Sequence, residues 1–394
     1  MKRQVSFILC FIMIFMMIPI LITGCTPYKE LKELEIVEGM GIDKSPDGSF
    51  LVTFQGFKAS SGGTGGGNQS VSNQTEILQC TGKTMFDASR NFTKQTGKKM
   101  YYSNVQALVI GKDVCMSDFS SIMDFLERNH EIAPMERVFM AESKAEDVLT
   151  AKNADGFISA KDISLISQNS YNTSMIVDQP LSDIEKRQAD GSDFDLPVLS
   201  IRQGKNQSSS GSSSGGGNDI LEIDSTAVFS NDKLAGTLDS NETRGVLWIR
   251  ETVEVKSGVI VVNSTQAGKT SMEIISNTTK QTVTSQGREP CMNVDINFTT
   301  RLIDTQTNMA SLNENFYKEV KTLQEKAVMD EAESAIKLAL RQDKADVFDF
   351  GKKIFETKPQ LWSKVEKNWR QSMATLPVKV TVHSTIKDNG IISR

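Results

Sequence analysis

Hydrophobic and polar positions change period several times along the chain. Across "VEGMGIDKSPDGSFLVTFQGF" (residues 37–57) they alternate on either side of Pro46-Asp47-Gly48, where restricted and positive φ angles suit a chain reversal. A β-hairpin follows from that pattern. "EILQC" at 76–80 resumes the strand character, and residues 84–93 switch to a helical period with Phe86, Ala88, Phe92 and Thr93 near one face. Residues 105–110 predict a strand, residues 118–128 a helix carrying Phe119, Ile122, Met123 and Leu126, "RVFMAES" a short strand, and residues 144–150 another helix. After "DLPVLSI", the stretch "ILEIDSTAVFSNDKLAGTLDSNETRGVLWI" reads as strands around an Asn231-Asp232 turn. Residues 253–262, 272–275 and 292–302 add three β candidates. From Leu312 one apolar stripe through Phe316, Val320, Leu323, Ala327, Ala332, Ile336 and Ala339 predicts a long amphipathic helix. A second helix carries Leu361, Trp362, Val365 and Trp369, and "PVKVTVHSTI" predicts a closing strand.

Two stretches break these patterns. Residues 59–74 and 203–219 are nearly all Gly, Ser, Thr, Gln and Asn, too polar to offset their ordering entropy, and are expected as flexible loops between strands. With 38% hydrophobic and 24% charged residues, the remainder is ordinary globular material. The fold class expected is α+β: a multi-domain, mixed α/β chain with an N-terminal α/β domain (25–185), a β-rich middle domain (186–290) and a C-terminal α+β domain (291–394) whose long helix packs on a sheet.

The first residues carry an address. Lys2 and Arg3 precede an uncharged apolar run from Val5 to Ile22, the layout of a secretory signal. Its length also approaches that of a membrane span, so length alone does not separate a cleaved signal from a retained anchor. The sequence Ile22-Thr23-Gly24-Cys25 resolves the choice, because it resembles the lipobox of bacterial lipoproteins: an aliphatic residue and small residues before a thiol nucleophile that takes diacylglycerol. Cleavage after Gly24 would leave 370 residues with a formal charge of −7, diacylglycerol and an N-acyl chain at Cys25, and a firm hold on the bilayer. Such an acidic chain is a poor ligand for nucleic acid. Beyond Cys10 and Cys25 there remain Cys80, Cys115 and Cys291, too few and too widely spaced for a disulfide framework or a zinc site.

Catalytic and cofactor signals are weak. "GMGID" leads into a turn, "GGTGGG" into polar residues, and Gly82-Lys83-Thr84 lacks the upstream glycine of a phosphate-binding loop, so no nucleotide cofactor is expected. His130 and His383 are the only histidines and stand far apart, leaving hydrolase chemistry without its base. Carboxylates pair in sequence at Asp193 and Asp195, at Asp343 and Asp346, and at Asp346 and Asp349, as a sugar hydrolase could use, but loop and cap roles account for them more simply. Trp362, Val365 and Trp369 share a helical face suited to core packing. No catalytic residue and no metal ligand is assigned.

Several landmarks together resemble the Ger(x)C lipoproteins, the C subunits of spore nutrient germinant receptors. They are "GMGIDK", "GKTMFDASR", "VQALVIGKDV", the series "AVF..DKL.G.L...E..G..W" from Ala227 to Trp248, "DVFDFG", and the Trp362 to Trp369 spacing. Departures are Thr26-Pro27, where the family often has Trp-Asp after the lipid cysteine, and Asn104, where a histidine is common. The resemblance implies a lipid-anchored, non-catalytic subunit of three α/β domains on the outer face of the spore inner membrane. Two integral membrane subunits of the same receptor would be its partners, and the nutrient ligand would be recognised on them. A solute-binding lipoprotein of a nutrient transporter is the alternative, and a cell-wall hydrolase a third.

Overall fold

The computed structural model describes residues 33–57, 75–153, 156–158, 160–203, 219–287, 289–307 and 312–387. The predicted hairpin is formed by β1 (Leu34–Lys44) and β2 (Phe50–Phe57), which run antiparallel, with Gly48 at φ +83° in the turn. β3 (Thr75–Gly82) pairs antiparallel with β2, so the first Gly/Ser stretch connects neighbouring strands. Both Gly/Ser stretches themselves lie outside the described residues.

Helix α1 (Met85–Thr96) starts where Thr84 Oγ1 accepts the Asp87 N–H and ends at Gly97 in the left-handed region. It buries Met85, Ala88 and Phe92, whereas Phe86, expected on that face, is 59% exposed. Then follow β4 (Lys99–Tyr101), β5 (Ala107–Ile110), α2 (Lys112–Ser117), α3 (Phe119–Arg128), β6 (Arg137–Ala141), α4 (Ala145–Thr150), the short ribbon of β7 (Lys152–Asn153) and β8 (Gly156–Phe157), α5 (Ala160–Gln168) and α6 (Leu181–Ala189). β9 (Phe194–Gln203), β10 (Asp219–Ser230) and β11 (Lys233–Asp239) complete a nine-stranded sheet in the order β11-β10-β9-β6-β5-β1-β2-β3, with β4 beside β1. β1, β5, β6 and β9 are parallel to one another, and the outer strands antiparallel.

Continuous apolar runs in the middle strands follow from burial on both faces. Leu108 and Ile110 join one core with α1, α3 and α6, while Ala107 and Val109 join another with Ala145, Leu149 and Ile163 of α4 and α5.

"SNETRGVLWI", read above as strand, is instead helix α7 (Ser240–Ile249), opened by a capping box between Asp239 and Glu242. The second sheet has the order β12-β13-β14-β15, from β12 (Val259–Ser264), β13 (Gly268–Gln286), β14 (Glu289–Thr305) and the closing β15 (Val378–Lys387), which runs parallel to β14. Of the stretch 253–262 only residues from Val259 on are strand. α8 (Glu314–Ala335) continues into a π-helical turn at Ile336–Gln342 and packs on this sheet through Phe316, Val320, Val328 and Ala332. Leu323 and Ala327 of the expected stripe are only partly buried, and Gln324 is fully buried in their place, bonded to Thr300 and Ser384. The expected second helix is broken into α10 (Pro359–Val365) and α11 (Trp369–Ala374), and a further helix, α9 (Phe350–Thr357), precedes it.

Sheet membership regroups residues 186–290: β9 to β11 pair in the first sheet, β12 and β13 in the second. The two are packed through a shared core, in which Val228 and Leu238 from β10 and β11 join Trp248 of α7 and Ile274, Val294 and Phe298 of the second sheet.

Candidate functional site, an arginine and aspartate junction between the sheets

Four of the five sequence-paired carboxylates converge where the first sheet meets the C-terminal helices. Asp195, at the start of β9, is fully buried; its Oδ2 accepts from Arg250 at 2.7 Å and its Oδ1 from Gln179. Arg250 also donates to the Val347 carbonyl at 2.8 Å. Asp193 accepts from Arg370 at 2.8 Å and from the Asp346 backbone N–H at 2.8 Å. Arg370 reaches across to Asn231 Oδ1 at 2.6 Å and to the Lys344 carbonyl at 3.1 Å. Arg187, near the end of α6, holds Asp349 in a two-pronged pair at 2.8 and 3.0 Å. Asp343 stands apart from this group, packed against Gly236 of β11.

Asp346 caps α9: its oxygens accept the N–H groups of Phe350 at 3.0 Å and Gly351 at 2.6 Å. Burial pushes its carboxyl up to about 7, with the negative charges of Asp349 and Asp193 adding to the rise and the two backbone donors opposing it. Beside it opens a cleft of about 470 Å³ lined by Asp190, Gly351, Phe355, Trp362 and Trp369 among others. The two indoles contact each other at 5.3 Å, so the Trp pair is a packed wall at the junction. Since Asp193, Asp195, Asp346 and Asp349 each accept from arginine or backbone donors, this cluster fastens the two units together.

The other residues weighed from sequence lie elsewhere. Ile22, Thr23, Gly24 and Cys25 fall outside the described residues. His130 and His383 are both exposed, the latter on β15. Gly82-Lys83-Thr84 is a helix start where Gly82 packs against the backbone of Ala88. Cys80, Cys115 and Cys291 are free thiols, and burial pushes those of Cys80 and Cys115 up, away from reactivity. Among the described residues no group of His, Cys, Asp or Glu could hold a metal ion.

With this geometry in view, two family descriptions match consecutive parts of the chain: the spore germination protein N-terminal domain over residues 27–201, and the spore germination B3/GerAC-like C-terminal domain over residues 224–390. The chain belongs to the GerAC family of spore germination proteins, C subunits of germinant receptors. GerAC relatives include the Bacillus subtilis spore germination protein YndF, 24% identical over 99% of this chain and 98% of its own. Spore germination proteins B3 and KC of the same organism are 20% and 22% identical, each over 97% of this chain and 98% and 96% of their own. The fold is similar to the crystal structure of the GerBC protein, with a TM-score of 0.58 at 15% identity, covering 89% of this chain and 97% of that one.

The GerAC landmarks have structural roles here. In "GMGIDK", a Cβ on Gly39 would come within 2.8 Å of Ala160 Cβ and one on Gly41 within 2.9 Å of Leu149, so both glycines let α4 and α5 lie close on β1. Asp43 accepts the N–H groups of Ala145 and Glu146, each at 2.8 Å, and Gly111 of "VIGKDV" leaves room for its carboxylate. In the Ala227 to Trp248 series, Gly245 lies against the Glu331 carbonyl of α8, and Trp248 Nε1 donates to Glu331 Oε2 at 2.9 Å. Arg244 donates to the same carboxylate at 2.9 Å, so α7 and α8 are locked by one glutamate.

Proposed function

We propose that this chain is the lipid-anchored, non-catalytic C subunit of a nutrient germinant receptor, held by acylated Cys25 on the outer face of the spore inner membrane. It works with two integral membrane subunits of that receptor, in assembly or in passing on the signal that starts germination. The observation that carries this reading is the match of both GerAC domains along nearly the whole chain, following directly on the Ile22-Thr23-Gly24-Cys25 sequence. Its support includes the engagement of every junction carboxylate by arginine or backbone donors. Among the described residues no helix is long and apolar enough to cross a membrane, and in this reading attachment rests with acylated Cys25. From Cys25 to Leu34 the chain spans at most about 30 Å when extended. Confinement of so short a tether to a surface turns the search for membrane partners into a two-dimensional one and raises their effective concentration.

Co-purification of the tagged, lipidated chain from spore membranes, with mass spectrometry of what accompanies it, tests the reading. Two polytopic membrane proteins in stable association are expected. A permease with an ATPase would instead make the chain a solute-binding lipoprotein, and recovery of the chain alone would remove the assembly role.

A further inference from the structure

A cavity of about 650 Å³ lies between α1, α3 and β4, walled by Phe50, Met85, Met100 and Phe125, but its charged groups are turned to one another: Lys99 pairs with Glu131, Arg128 with Asp124, and Arg90 covers the Phe86 ring. The cleft of about 470 Å³ beside α9 is different, and its volume is in the range that small-molecule sites occupy. Phe355, Trp362 and Trp369 line it as a chain of touching rings: Phe355 meets Trp362 edge-on at 6.4 Å, and Trp362 meets Trp369 at 5.3 Å with the planes inclined by 59°. Phe355 is 56% exposed and both indoles are partly exposed. Trp248 shows what a purely structural indole does in this chain, being fully buried with its N–H given to Glu331. Trp362 and Trp369 instead have N–H groups that meet no acceptor among the described residues, and neither nitrogen is sealed from water. That of Trp369 lies beside the cleft residue Gly351, 3.0 Å from where a Cβ would stand.

The charges lining the cleft narrow the class of ligand. Asp193 is paired with Arg370, and Asp349 with Arg187. Asp190, Lys352 and Glu356 are exposed and make no ion pair among the described residues. A lone cation would be repelled by Lys352 and a lone anion by the two carboxylates, while a wholly apolar body would offer nothing to the indole donors. A hydroxyl both donates and accepts, so a neutral ring carrying several of them can serve the carboxylates, the ammonium and the indole N–H groups at once. If its C–H groups gather on one face, that ring also suits the aromatic wall, because the negative face of an aromatic system attracts partly positive hydrogens.

We propose that this cleft binds a pyranose sugar, with one C–H face laid on the Trp362 and Trp369 wall and its hydroxyls turned to Asp190, Lys352, Glu356 and the indole N–H groups. The assignment goes beyond the receptor-subunit reading and stands or falls separately from it, because it invokes neither the lipid anchor nor a partner.

The test uses the full lipidated chain in lipid nanodiscs, with empty nanodiscs subtracted. It is titrated with methyl β-glucopyranoside, with N-acetylglucosamine and its β-linked trimer, and with tetrahydropyran-2-methanol, which keeps the ring but only one hydroxyl. Binding is read from tryptophan emission, since the cleft holds two of the three indoles. Saturable binding of at least one of the sugars is expected, at least tenfold tighter than tetrahydropyran-2-methanol. Equal affinity for N-acetylglucosamine and its trimer would identify a single free sugar as the occupant, and a tenfold gain with the trimer a glycan chain. Trp362→Ala should weaken binding at least tenfold, and Trp362→Phe should restore part of it. Saturation-transfer spectra of the sugar on the unsubstituted chain give a readout independent of how the variants fold: transfer should be strongest to the axial hydrogens of one ring face. Absence of saturable binding by every sugar, equal affinity for tetrahydropyran-2-methanol, or transfer spread evenly around the ring would overturn the proposal.

Discussion

Arg250 is the residue whose loss should most directly expose how the two sheets are joined. It is 5% exposed, and it ties fully buried Asp195 of the first sheet at 2.7 Å to the Val347 carbonyl before α9 at 2.8 Å. Arg250→Met keeps an apolar stem of similar reach but leaves Asp195 charged, buried and held by Gln179 alone. Breaking a buried pair from one side costs about 3–5 kcal/mol, because the remaining charge has neither water nor a counter-ion. In a chain of this size roughly 2 °C of melting temperature accompanies each kcal/mol. Thermal unfolding of the full chain, followed by tryptophan fluorescence, should therefore fall by roughly 6–10 °C. Adding Asp195→Leu removes the orphaned charge, so the double variant should recover most of that loss. A fall of under about 2 °C in Arg250→Met, or a double variant melting below the single one, would refute the reasoning that this pair, and not apolar packing alone, fastens the junction.

Three further outcomes are expected. Gly245→Ala would drive a methyl into the Glu331 carbonyl of α8, and an overpacking cost of about 1–3 kcal/mol should outweigh the roughly 1 kcal/mol helix-propensity gain, giving net loss in chemical denaturation. The Asp346 carboxyl is raised from 3.8 to about 7 in the folded chain, so the folded state keeps a proton that the unfolded state has released between those values; its stabilisation is full below about pH 4 and lost as pH rises through 7. The melting-temperature advantage of the unsubstituted chain over Asp346→Asn should accordingly be largest near pH 4 and shrink towards pH 8; a gap constant with pH would remove the titration from Asp346. Cys25→Ala should leave a precursor of unprocessed mass without diacylglycerol, and normal lipidation of that variant would place the anchor elsewhere.

The parts of the fold legible in the sequence are those with one wet face and one dry face. α3 shows its buried Phe119, Ile122, Met123 and Leu126 at helical spacing, and the β1-β2 turn declares itself in Pro46-Asp47-Gly48. α7 was not legible as a helix because Thr243 through Ile249 are all buried, which erases the amphipathic period; the surviving signal was its cap, Asp239 and Glu242 three residues apart. β13 is 19 residues long but was visible only around 272–275, since it buries Thr270, Thr279 and Gln281 as well as Met272 and Val283. Phe86 was assigned inward by spacing, but Met85 takes the core position and leaves Phe86 at the rim of the cavity. The junction was half visible: the spacing of Asp193, Asp195, Asp346 and Asp349 stood out, while Arg187, Arg250 and Arg370 come from three distant segments that no local pattern connects.

What the sequence spread apart, the turn between β10 and β11 draws together. Asn231 and Asp232 both have positive φ, 51° and 59°, so the tip is tight and presents two short polar side chains in fixed directions. Asp232 accepts from Gln188 of α6 at 2.9 Å and from Ser120 of α3 at 3.3 Å, both on the helical layer of the first sheet. Asn231 accepts from Arg370 of α11 at 2.6 Å, on the far side. Just beneath, Phe194 stacks on Phe229 at 4.7 Å and Phe119 packs tilted against it at 4.8 Å, so the strand that carries the turn is clamped as well. The same helix, α3, supplies Ser121, Asp124 and Phe125 to the wall of the apolar cavity. α3 is therefore linked through the hydrogen bonds of this turn to Arg370 and the junction it closes. That turn is thus one place where the first sheet's helices meet the C-terminal helices, the Arg187–Asp349 pair between α6 and the start of α9 being another.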